Sequence, residues 1–209
     1  MSIMRIRAAL LDMDGTVFDS RIDWLRLREK IELPWDGRPI LAQLDDAPPD
    51  VRAKGLALLH EAERVGAENG DLIPGAHEIL ECLRRHSVRC VLITNNSRRS
   101  AETVLRRCRL SFELVLTRDD GPTKPDPEAF VRALAQLQVE PRDAVAIGDA
   151  HLDLIAAQRA GIGEIILVGT PPWMREHIPP DADYHAAANL LEAREILERL
   201  LAAPLQERR

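Results

Sequence analysis

At 209 residues, the chain can bury one sizeable core and leave length for a small accessory element. Hydrophobic residues make up 45% and charged residues 30%, as in an ordinary globular protein, but aromatics are only 3%, so Leu, Ile, Val and Ala must fill the core and a β-sandwich is disfavoured. A formal net charge of -6 sets the average field against nucleic acid and anionic membranes, while leaving room for a small anionic substrate at a locally positive site.

The first apolar run, Ile6 to Met13, reads as a buried strand. The basic segment at its start, Met1 to Arg7, is not expected to open a signal peptide, because Ala8 to Leu11 is too short for an apolar core and Asp12 ends it. About 75 residues then separate this strand from the next, at Arg89 to Thr94, although a crossover needs only a dozen or so. The helical pattern at Gly75 to His86 suffices for that crossover. Residues 20–72 are therefore surplus, with helical patterns of their own near Asp23 to Ile31 and Asp50 to Glu68 and a break at Asp45 to Asp50. They are expected to form a small helical cap (20–72) over the carboxyl end of a sheet built from residues 1–19 and 73–209. Thr16 to Asp19 and Asp71 to Pro74 are its expected hinges.

Beyond it, strands are expected at Leu114 to Thr117, Ala144 to Gly148 and Glu164 to Val168. Helices should lie at Arg98 to Cys108, Pro127 to Leu137 and His151 to Ala160, with Gly161 as a left-handed cap. Pro74 and Pro127 sit near helix starts, where a missing N–H does no harm. The tail, Ala188 to Ala203, is an amphipathic docking helix. Alternating strands and helices give the fold class: an α/β, doubly wound parallel sheet of five or six strands. No run of about 18 apolar residues exists, so no membrane span is expected. Cys82, Cys90 and Cys108 form no CxxC pair and read as reduced thiols, which points to a cytoplasmic protein.

Open parallel sheets bind ligands at the carboxyl ends of their strands. Here the first strand ends in Asp12-Met13-Asp14-Gly15-Thr16, the second in Thr94-Asn95, and Lys124-Pro125 follows the third. The fourth ends in Gly148-Asp149, with Asp153 four residues on. Converging carboxylates repel one another unless a cation lies among them, and Mg²⁺ is the natural hard cation for oxygen ligands. A cation beside a lysine makes a receptor for a phosphoryl group. Residues i and i+2 of a strand point to one side, so Asp12 and Asp14 can face one substrate, one attacking and the other carrying a proton. Gly15 allows close approach of a ligand.

These four motifs, in this order, resemble the haloacid dehalogenase superfamily, most closely its phosphoglycolate-phosphatase-like members with a helical cap after the first strand. The resemblance spans Arg7 to Val168 apart from the insert. It implies that Asp12 is the nucleophile that becomes an aspartyl phosphate and that Asp14 is the general acid and base. Asp12, the Asp14 backbone carbonyl and Asp149 would hold Mg²⁺, with Asp153 holding a metal-bound water or orienting Lys124. Gly15, Thr94, the Asn95 N–H and Lys124 would receive the phosphate. Asp14 also argues against a dehalogenase. The implied activity is hydrolysis of a small phosphate monoester, phosphoglycolate or a sugar phosphate, by a monomer or homodimer. A phosphomutase of the same superfamily and a non-catalytic scaffold are the alternatives.

Other residues read as structural. His151 is expected at a solvated helix start, and His60, His77 and His86 at the surface. Arg21, Arg26, Arg28, Lys30 and Arg38 make a solvated basic face, Trp24 is packing, and Arg84-Arg85 and Arg98-Arg99 are solvated.

Overall fold

A computed structural model describes residues 6–202. In chain order the elements are β1 (Ala8–Leu11), β2 (Phe18–Asp19), α1 (Trp24–Ile31), α2 (Ile40–Asp45), α3 (Pro49–Asn69), β3 (Asp71–Leu72), α4 (Ala76–Arg85), β4 (Arg89–Ile93), α5 (Arg98–Cys108), β5 (Leu114–Leu116), α6 (Glu128–Leu137), β6 (Ala144–Gly148), α7 (His151–Arg159), β7 (Glu164–Val168), α8 (Pro172–Arg175), β8 (His185–Ala187) and α9 (Leu190–Ala202).

Six strands form one parallel sheet in the order β5-β4-β1-β6-β7-β8. Its strands read as unbroken apolar runs because both faces are covered. The period of two sorts their side chains. On one face Ala9, Leu11, Leu92, Val145, Ile147, Ile166 and Val168 meet α4, α5 and α9. On the other Ala8, Leu10, Val91, Ile93, Ala144, Ala146, Ile165 and Leu167 meet α6 and α7. The α4 face is built from Ala76, Ile79, Leu80 and Leu83, the i, i+3, i+4, i+7 pattern of a buried stripe. Gly161 takes φ +75° after α7, as its position implied.

The doubly wound class is thus observed. The first strand is shorter than the apolar run Ile6 to Met13, because Met13 accepts turn hydrogen bonds from Thr16, Val17 and Phe18 instead of continuing the ladder. Thr94 and Thr117 likewise lie just past their strands. Five elements escape the sequence pattern: the short strands β2 and β3, the helices α2 and α8, and β8, only three residues of His-Ala-Ala at the sheet edge. The tail helix runs Leu190–Ala202 and docks Leu190, Ala193 and Leu197 on the sheet; Ala203 and Met1 to Arg5 lie outside the described residues.

Between β2 and β3 the chain forms α1, α2 and α3 around their own cluster of Leu27, Ile31, Ile40, Leu44 and Leu59. Asp23 caps α1 through the Arg26 N–H, and Pro49 opens α3 at a position that needs no donor. The segments leading into and out of the insert pair as a two-stranded antiparallel ribbon, Phe18 with Leu72 and Asp19 with Asp71. Gly70 makes this possible, since a Cβ there would lie 2.3 Å from the Asp19 carbonyl oxygen.

Candidate active site

The site lies at the switch point of the sheet, where β1 stands between β4 and β6 and the chain leaves in opposite directions. Asp12 follows β1 directly, its N–H donating to the Ile147 carbonyl at 2.9 Å. Lys124 reaches in from the loop after β5. Its Nζ donates to Asp12 Oδ1 at 2.6 Å, Asp153 Oδ1 at 2.5 Å and the Ile93 carbonyl at 3.0 Å, so every ammonium proton is used. The ammonium is buried. Burial alone would lower its pKa, but the charges of Asp12 and Asp153 outweigh it and hold the pKa above the ordinary lysine value.

Asn95 fixes that lysine. Its Oδ1 accepts from the Lys124 N–H at 2.9 Å and its Nδ2 donates to the Lys124 carbonyl at 3.0 Å, a two-point clamp on the backbone. Thr94 is buried, and its hydroxyl accepts from the Asn96 N–H at 3.1 Å. Neither residue caps the next helix; Ser97 does, through the Ser100 N–H.

Asp12, Asp149 and Asp153 each offer an oxygen within 4.8 Å of the others. Two glycines permit this crowding. A Cβ on Gly15 would fall 2.3 Å from Asp149 Oδ2, and one on Gly148 would fall 2.4 Å from Asp153 Cγ. Asp153 is tied down further by the Ala150 N–H, which reaches its Oδ2 at 3.1 Å, and by Lys124. Burial and the neighbouring carboxylates push Asp149 well above the ordinary range. Burial raises Asp12 to about 7, against the pull of Lys124. Three carboxylates crowded this closely are a donor set suited to a hard divalent cation. The residues present fit such an ion.

Asp14 stands apart from the three. The turn from Met13 to Phe18 swings its carboxylate toward Ser20, whose N–H donates to Oδ1 at 2.9 Å. Burial lifts its pKa to about 6, against the hydrogen bonds from Ser20. A carboxyl whose pKa is lifted toward neutrality can both give and take a proton.

The insert closes over this cluster, leaving a cavity of about 370 Å³ lined from both sides. Glu63 of α3 is buried against Arg118, which follows β5, and also accepts from the Ser97 N–H at 3.4 Å. Two sequence readings need correction here. His151 starts α7 but is buried: its Nε2 donates to the Gly37 carbonyl at 2.8 Å and it packs near Trp35 and His177. Arg28 is not on a solvated face. It is buried, donating to the carbonyls of Pro34 and Arg38 and to Gln43, with its guanidinium 4.8 Å from the centre of the Trp35 ring. Arg21, Arg26, Lys30 and Arg38 are exposed as expected, as are His60, His77 and Arg84-Arg85. His86 is half-buried on the Cys82 carbonyl, and Arg98 on Asp120. Trp24 packs on the insert cluster and also lines the cavity. The roles of Gly148 and Glu63 were not read from sequence: they depend on neighbours 5 and 55 positions away.

The family model of haloacid dehalogenase-like hydrolases matches residues 6–161. The chain belongs to that family of hydrolases. It is 31% identical to validoxylamine A 7'-phosphate phosphatase of Streptomyces hygroscopicus subsp. limoneus over 75% of this chain and 83% of the relative. It is 28% identical to the phosphoglycolate phosphatase of Nitrosospira multiformis over 75% and 80%, and 27% identical to the beta-phosphoglucomutase of Bacillus subtilis over 75% and 81%. The crystal structure of a hydrolase from Pseudomonas syringae superposes with a TM-score of 0.77 at 19% identity, covering 94% of this chain and all of the other.

Proposed function

We propose that this protein is a Mg²⁺-dependent phosphatase that hydrolyses small phosphate monoesters through an aspartyl phosphate on Asp12. The observation that carries the reading is Lys124, its ammonium held between Asp12 and Asp153 beside Asp149. Mg²⁺ held by Asp12, Asp149, the Asp14 carbonyl and, directly or through water, Asp153 would neutralise the phosphoryl oxygens and let a carboxylate approach them.

Asp12 attacks phosphorus, and the bond to the leaving oxygen breaks as the acyl phosphate forms. Asp14, whose pKa burial lifts to about 6, gives its proton to the departing alcohol. It then takes a proton from the water that cleaves the acyl phosphate, so Asp12 returns free and inorganic phosphate leaves. Lys124 neutralises the oxygen of Asp12 that it holds and the incoming phosphoryl group. The Thr94 hydroxyl and the Asn95 N–H supply further donors, positioned by the clamp of Asn95 on the lysine backbone. Residues 20–72 act as a cap that opens at the β2–β3 ribbon to admit substrate. Three free cysteines favour a reducing compartment, the cytoplasm.

The test is phosphate release from a panel of esters, with Mg²⁺ or with EDTA, by the wild type and by Asp12→Asn. Release should need both the ion and Asp12, falling at least about a thousandfold without either. The similarity to a beta-phosphoglucomutase keeps a mutase as the second reading. Interconversion of sugar phosphates without phosphate release would favour it and overturn the phosphatase.

A further inference from the structure

The chain has only three tryptophans, Trp24, Trp35 and Trp173, and all three line the one cavity above Asp12. They come from distant places: α1, the loop between α1 and α2, and the start of α8. Trp35 and Trp173 meet edge to face, with ring centres 4.7 Å apart at 78°. In a protein with so few aromatics, this concentration marks a wall built for contact.

The charges on the same walls sharpen the point. Besides Lys124, which Asp12 and Asp153 hold, the cations lining the cavity are Arg28 and Arg38. Arg28 spends both terminal nitrogens on the loop carbonyls and Gln43, and Arg38 is paired with Asp36 at 2.9 Å and Asp46 at 2.8 Å. Among the described residues no uncommitted cation faces the leaving-group side. Asp19 also lines the cavity, and so does Glu63, whose charge Arg118 holds. A second carboxylate on a substrate would find repulsion there and no partner. The indole N–H groups of this wall donate to no protein group among the described residues, so they remain as donors for neutral oxygens.

We propose that Trp24, Trp35 and Trp173 form the leaving-group subsite, and that the substrate is the phosphate ester of a neutral alcohol bearing a ring with a flat apolar face. This rests on the phosphatase reading and narrows it. A short hydroxy acid such as glycolate would leave the aromatic wall unused. The shared chemistry, a ring face laid on indole, is offered by a sugar or cyclitol ring and by an aryl ring.

The experiment compares kcat/KM of the Mg²⁺-loaded wild type on hexose 6-phosphates, 2-naphthyl phosphate and phosphoglycolate. At least one ring ester should exceed phosphoglycolate about tenfold or more, and the better ring identifies the source. Phosphoglycolate matching or exceeding both would overturn the proposal. Trp173→Ala should cut the ratio of ring ester to phosphoglycolate about tenfold and Trp173→Phe should keep it; an unchanged ratio in a folded alanine variant counts against the subsite. Binding is read separately from chemistry in Asp12→Asn, through quenching of indole fluorescence. If wild type releases no phosphate from any ester, the phosphatase reading fails by itself. The subsite then stands if ring phosphates, and not phosphoglycolate, quench Asp12→Asn, and falls if they do not.

Discussion

Gly15 has φ +83°, and the Cβ of any other residue there would fall 2.3 Å from Asp149 Oδ2. Strain and collision therefore act together at one position. Gly15→Ala should lose about 1–3 kcal/mol in urea denaturation of the metal-free protein. It should also raise the Mg²⁺ concentration needed for half-maximal phosphate release, because Asp149 must move. Asp14 makes a prediction about pH. Its folded pKa of about 6 lies above the ordinary 3.8, so between those values the folded state binds more protons than the unfolded chain. The stability it contributes is present below about pH 4 and lost as pH rises through about 6. The metal-free wild type should therefore lose stability relative to Asp14→Asn across that window, as measured by denaturant midpoints at each pH. A difference that grows in the opposite direction would show that burial does not govern this carboxyl.

At the scale of elements, the connection between insert and sheet is made by α3 and the loops it touches. Glu63 is 2% exposed and its partner Arg118 is buried with it. Removing one member of a buried pair leaves the other charged and without its counter-ion, which costs about 3–5 kcal/mol. Glu63→Ala should lower the melting temperature and speed hydrogen exchange in α1, α2 and α3 more than in β1, β4 and β6. Uniform acceleration across the sheet and the insert would mean that the pair stabilises the whole molecule and not this junction. Element positions followed the sequence where a buried stripe is strong, as in α4 with Ala76, Ile79, Leu80 and Leu83. They did not where an element is short and its side chains small. No periodicity can be read from His185-Ala186-Ala187, which becomes a strand because β7 offers an open edge.

For the molecule as a whole, sheet and insert enclose the cavity together, so ligands should couple to the contact between them. An ion that binds only the folded state stabilises it by about 2.7 kcal/mol at a hundred times its Kd. Mg²⁺ should thus raise the melting temperature, EDTA should reverse the gain, and Asp149→Asn should abolish it. If residues 20–72 move as a cap about the β2–β3 ribbon, Mg²⁺ with a phosphate mimic should protect α1 and α3 from hydrogen exchange more than the central strands. Equal protection would count against that motion. No helix among the described residues is long and apolar enough to cross a membrane.

The sequence alone determined the doubly wound sheet and the strand ends that bear Asp12, Asp14, Thr94, Lys124 and Asp149. Both follow from local rules: apolar runs alternate with helical stripes, and parallel strands present their carboxyl ends to one side. What only the tertiary structure decided was the environment of each group. Lys124 meets Asp12 across 112 positions, His151 is buried with its ring N–H donating to the Gly37 carbonyl, and Arg28 is withdrawn from solvent by the loop it supports. The three tryptophans share one wall because α1, its following loop and α8 converge over the sheet. Such contacts depend on how loops close in space, and nothing in the local pattern of the chain encodes them.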